Sequence, residues 1–129
     1  MHTLKITIIL AILVALILSI GLFTHNILSS TADRLGKHIA QIENNTIQGN
    51  WTKAEEQLSA AKNEWSGTGD QWAMLIDHIE IDNIDTSLSK MEKYIFSKNA
   101  PLALAEAATL KQYIEHIPEK ESFRLKNIF

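Results

Sequence analysis

The sequence predicts an all-α protein: an N-terminal transmembrane helix followed by a four-helix antiparallel bundle made of two αα-hairpins. Three observations predict it. Residues 6–23 form an 18-residue run with no formal charge. Beyond that run, apolar residues recur at helical spacing. Only 5 Gly and 2 Pro occur in 129 residues, too few turn formers for an all-β fold.

The apolar residues are unevenly shared. Residues 1–32 hold 20 of the 59 in the chain, and the remaining 97 residues hold 39. Residues 1–5 form a short tail. Residues 6–28 then make a 23-residue segment, about 34 Å of helix at about 1.5 Å per residue. That length fits a hydrocarbon core of about 30 Å with a little tilt. No charge appears between Lys5 and Asp33. A cleaved signal peptide is the competing reading, with Ser30-Thr31-Ala32 as a small-x-small site. The run is longer than an ordinary signal core and has no helix-breaking end, which favours an uncleaved signal anchor. Lys5 on one side and Arg34 and Lys37 on the other nearly tie the positive-inside count. The short N-terminal tail decides for N-terminus in. The expected location is therefore the cytoplasmic membrane, single-pass, with the body outside.

Residues 29–129 are expected to form one bundle domain. Leu28, Leu35, Ile39 and Ile42 carry the first stripe, and Gly49-Asn50 interrupts it. Asn50 is a good cap for a second helix with Trp51, Ala54, Leu58, Ala61 and Trp65 on one face. These make hairpin 1, about 29–65. Ser66-Gly67-Thr68-Gly69-Asp70 is expected to be a loop, with Asp70 capping the next helix. Hairpin 2, about 71–117, opens with that long helix, from Gln71 to Ser97. Asn99-Ala100-Pro101 then starts another, with Pro in the first turn, where a missing N–H costs little. Pro118 is expected to end or kink that helix before a C-terminal segment, 118–129. A 49-residue shift sets Leu35 on Ile84, Ile39 on Leu88, Ile42 on Met91 and Asn50 on Asn99. The two hairpins therefore read as candidate copies of one unit.

The long helix has two apolar stripes out of phase. Trp72, Leu75, Ile76 and Ile79 form one, and Ile81, Ile84, Leu88, Met91 and Ile95 the other. They lie about 150° apart at about 100° per residue. In the arc beside them sit His78, Asp82 and Asp85, with Asp77 and Glu80 elsewhere on the helix. His78, Glu80, Asp82 and Asp85 are the candidate structural polar network, in which His78 and Asp82 are one turn apart. A metal or catalytic site around His78 is the remote alternative. A His-x-x-x-Asp pair supplies two ligands where a metal needs three or four, and no second helix supplies a matching cluster. No catalytic residue, metal ligand or cofactor is expected. Trp51, Trp65 and Trp72 read as plugs at the ends of the bundle. With Phe129 they are also the candidate partner surface.

The absence of Cys excludes disulfides and thiolate chemistry. A net charge of −3 with no basic cluster argues against nucleic acid as a partner. The expected partners are the lipid bilayer, through the N-terminal helix, and an unknown protein or a second copy of the chain. No phosphate-binding or nucleophile motif is present. The function expected is a non-enzymatic interaction or accessory module anchored outside the membrane. The alternative is an anchored sensory or ligand-binding domain.

The stretch from Trp72 to Ile84 (WAMLIDHIEIDNI), with Leu88 beyond it, and the ending Leu125-Lys126-Asn127-Ile128-Phe129 resemble the domain-of-unknown-function family 4363. The resemblance covers nearly the whole chain. It implies a small bacterial membrane-anchored protein with one N-terminal span and a helical remainder. It assigns no catalytic residue, and it adds weight to His78, Glu80 and Asp82.

Overall fold

The computed structural model describes residues 1–128, without the side chains of 122–125 and 128, and has among them four helices joined by short turns. They are α1 (His2–Ile47), α2 (Trp51–Leu75), α3 (His78–Phe96) and α4 (Ala100–Ile128). α1 packs on α2 and α4, and α3 packs on the same two, closing a ring of four helices. The cross-links fix the directions. Arg34 meets Glu64 and His38 meets Gln57, so α1 and α2 are antiparallel. Trp65 meets Asp85 and Lys62 meets Glu92, so α2 and α3 are antiparallel as well. Ser87 meets Glu106 and Glu80 meets Lys120 across α3 and α4.

The apolar run and the first wall of the bundle are one helix. α1 is unbroken for 46 residues, because nothing between Ile6 and Ile47 breaks it: no Pro, and Gly21 and Gly36 stand alone. Its two halves differ in surroundings. From Leu4 to Phe23 its large apolar side chains are exposed. From Leu28 onward they bury one stripe: Leu28, Ala32, Leu35, Ile39 and Ile42. The core is completed by Ala54, Leu58, Ala61, Trp65 and Trp72 of α2, Ile84, Leu88, Met91 and Ile95 of α3, and Ala103, Ala107, Leu110, Ile114 and Ile117 of α4.

The α1–α2 and α3–α4 turns are the same object, displaced by 49 residues. α1 ends at Ile47 and α3 at Phe96. The N–H of Asn50 donates to the carbonyl of Asn45 and that of Asn99 to Tyr94, both at 2.8 Å. Gly49 donates to Thr46 and Lys98 to Ile95. Both turns are therefore Schellman motifs, which satisfy the orphan carbonyls of a helix end by a left-handed residue. Gly49 supplies it with φ 74° and Lys98 with φ 55°. Asn99 also caps α4 through its side chain, accepting from Leu102 N–H at 3.2 Å. One cross-helix pair repeats as well: His38–Gln57 in the first hairpin matches Ser87–Glu106 in the second, whereas Arg34–Glu64 has no counterpart among the described contacts. The 49-residue correspondence thus extends to both turns, to the core register from Leu35/Ile84 to Trp65/Ile114, and to one side-chain pair.

Two boundaries differ from the sequence reading. Ser66–Asp70 is not a loop, since α2 continues through it to Leu75. Trp65 and Trp72, seven residues apart, are both buried on one face, and that packing outweighs the poor helix propensity of the segment between them. Gly67 costs propensity but has open space around it, and Gly69 lies under the Trp65 indole. The reversal comes instead at Ile76–Asp77, where Ile76 is extended (φ −133°, ψ 169°) and Asp77 is the N-cap of α3 (φ −66°, ψ 145°). The second difference is Pro118. Of an end or a kink there, the end is ruled out: Pro118 is buried inside α4, which continues through it.

Candidate functional site

The α2–α3 seam gathers most of the unusual chemistry. The Trp65 and Trp72 rings meet edge to face, with centroids 5.4 Å apart and planes at 84°, a favoured aromatic geometry. Trp65 Nε1–H donates to the Asp85 carboxylate at 2.6 Å. Trp72 is fully buried and its Nε1 has no hydrogen-bond partner among the described residues. One turn toward the α1–α2 turn, the Lys62 ammonium donates to Glu92. That bond, and the Lys62 charge, hold the Glu92 carboxyl below the usual carboxylate range. Two open clefts, of about 470 and 500 Å³, lie along the seam.

The four polar residues singled out on α3 do not form one network. Asp85 turns to Trp65 of α2. Glu80 turns to Lys120 of α4 at 3.2 Å. His78 and Asp82 are exposed and make no side-chain hydrogen bond among the described residues. The reason is the reversal at Ile76–Asp77. His78 becomes the first residue of α3 and stands at an exposed corner, not midway along a packed helix. Among the described residues, no three His, Asp or Glu side chains come together as a metal cage.

The tryptophans also separate. Trp65 and Trp72 are core residues, 5% and 0% exposed, so neither belongs to a partner surface. Trp51 is half-buried against the core at the start of α2. Phe129 lies outside the described residues. Sequence reasoning missed the cross-helix pairs Arg34–Glu64, His38–Gln57 and Ser87–Glu106. A signal for two of them existed: the 49-residue shift sets His38 on Ser87 and Gln57 on Glu106, polar on polar at the edge of the core.

The exposed apolar groups fall into three places. The first is the length of α1 from Leu4 to Phe23. Its continuous apolar surface is far more than a soluble monomer leaves open, and α1 is the one described helix long and apolar enough to cross a membrane. The second is the end of the bundle away from that run, where Ile47 and Phe96 occupy matching last positions of α1 and α3. The third is the corner between α2 and α3, with Met74 and Ile79.

Compared with known families, residues 22–128 match the model of a domain of unknown function, DUF4363. The chain belongs to the DUF4363 family. The DUF4363 match begins at Leu22, where the exposed apolar run gives way to the bundle, and reaches into all four helices. The matched region thus includes both Schellman turns and the α2–α3 corner. Searches of curated proteins and of solved structures found no match.

Proposed function

We propose that this DUF4363 protein is a non-enzymatic, single-pass accessory module, anchored in the cytoplasmic membrane by α1 with its bundle outside. The observation that carries this is the continuity of α1. One unbroken helix bears 18 uncharged, outward-facing residues and then a buried stripe of the bundle. A helix apolar on all sides needs hydrocarbon around it. The bundle contributes small, closed packing and, among the described residues, no assembled group of catalytic side chains. Its work on this reading is to bind a second protein or a second copy of itself.

The native chain has no Cys, so a single Ser97→Cys in the α3–α4 turn reports the side directly. A membrane-impermeant maleimide should label it in intact cells. Labelling only after lysis would reverse the orientation, and recovery of the full chain in the soluble fraction would remove the anchor. Cross-linking in intact membranes should trap the chain with a partner or with itself. A chain that stays monomeric under those conditions would remove the interaction role. The clefts along the α2–α3 seam favour a second reading, an anchored ligand-binding module, for which a small molecule should raise the melting temperature.

A further inference from the structure

We propose that the α2–α3 corner rests in the bilayer interface, with Met74 and Ile79 inserted at the boundary between acyl chains and headgroups, so that the bundle touches the membrane at a second point. This rests on the reading of α1 as a membrane span. The cross-links supply the geometry. Arg34 of α1 is level with Glu64 of α2. Ten residues further along α2 is Met74, and ten residues back along α1 is Thr24, each about 15 Å from that pair at about 1.5 Å per residue. Asp85 is level with Trp65. Ile79, six residues earlier in α3, is therefore level with Gln71 of α2 and with Ile27 of α1.

Both side chains thus lie within about one turn of Phe23, where the uncharged run ends. That run, 18 residues from Ile6 to Phe23, spans about 27 Å against a hydrocarbon core of about 30 Å. Thr24 to Ile27 consequently stand at the edge of the hydrocarbon, and the corner stands beside them. Met74 is 82% exposed and Ile79 73% exposed. They flank the two-residue reversal at Ile76–Asp77, two positions before and two after it. Large apolar side chains on a helical corner held at this depth gain by partial burial among lipid. Asp77 and Asp82 are on the same corner and not buried, so the contact is made by apolar groups and not by attraction to anionic lipid.

The experiment is spin-label depth measurement on the full chain in vesicles of phosphatidylcholine and phosphatidylglycerol. Single-cysteine variants Met74→Cys and Ile79→Cys are compared with Phe23→Cys in the span and Ser97→Cys in the distal turn. All four sites are exposed, and helical circular dichroism checks the fold of each. Labels at 74 and 79 should favour oxygen over a water-soluble nickel relaxant several-fold more than the label at 97, and should do so equally in vesicles of phosphatidylcholine alone. Labels at 74 and 79 that match 97, while 23 remains in lipid, would overturn the proposal and leave the anchor standing. A label at 23 that also reports water would overturn both.

Discussion

Gly49 and Lys98 hold the same left-handed position in two copies of one turn, yet only one of them is a glycine. Lys98 carries a Cβ at φ 55°, where L side chains are disfavoured. Lys98→Gly should stabilise the protein by about 0.5–1 kcal/mol, and Gly49→Ala should destabilise it by about 1 kcal/mol. Thermal unfolding of the full chain in detergent, monitored by circular dichroism, checks both. Equal responses to the two substitutions would mean that the turns are not equivalent.

Gly67 tests the course of α2. It lies within the helix with open space where a Cβ would go. Gly67→Ala should raise stability by about 0.5–1 kcal/mol, the propensity difference in a helix interior. A neutral or negative result in the same unfolding assay would return residues 66–70 to a loop.

The Trp65–Asp85 hydrogen bond crosses the seam of α2 and α3. Asp85→Ala removes the acceptor from a nearly buried indole N–H and should cost about 1–2 kcal/mol. Asp82→Ala, one turn toward the α2–α3 corner and exposed, should cost almost nothing. Comparable losses at the two sites would show that Asp82 contributes to a shared network after all.

Glu92 gives the chain a small acid sensitivity. Its carboxyl is held below the ordinary 4.5 by the hydrogen bond and charge of Lys62. The folded state therefore gains from the ionised form. That gain is present above the ordinary value and is lost as pH falls through the lowered one. Glu92→Gln should leave the melting temperature at neutral pH nearly unchanged, since exposed ion pairs contribute little. It should slightly flatten the decline in acid. A steeper acid decline in the variant would contradict the Lys62–Glu92 pairing.

The helix content and the two Asn-led turns were legible because they depend on local chemistry. Asn50 and Asn99 sit just past short breaks in apolar registers that stay in phase over many turns. The α2–α3 reversal was visible only as a disturbance. Trp72 and Leu75 lie on one stripe, Ile81 and Ile84 on another about 150° away, because they belong to two antiparallel helices. The turn signal of Ser66–Asp70 drew the boundary to the wrong place. Local propensity there yields to the burial of Trp65 and Trp72, which no local pattern discloses. Asp85 could be named as polar and central, but its partner required the register between α2 and α3. His78 lost its central position when the helix around it was divided.

The absence of any joint in α1 sets how its two ends are coupled. The apolar half and the buried stripe lie on one continuous helix. One residue inserted between Phe23 and Leu28 would turn the bundle by about 100° about that axis and shift it by about 1.5 Å. A neighbour that grips the apolar half and rolls it would swing the α2–α3 seam around the same shaft. With α1 anchored as proposed, a bilayer that thins, tilting the shaft, would lean the seam by the same angle. The direction in which the bundle faces is thus decided within a stretch of α1 that contributes no residue to its core.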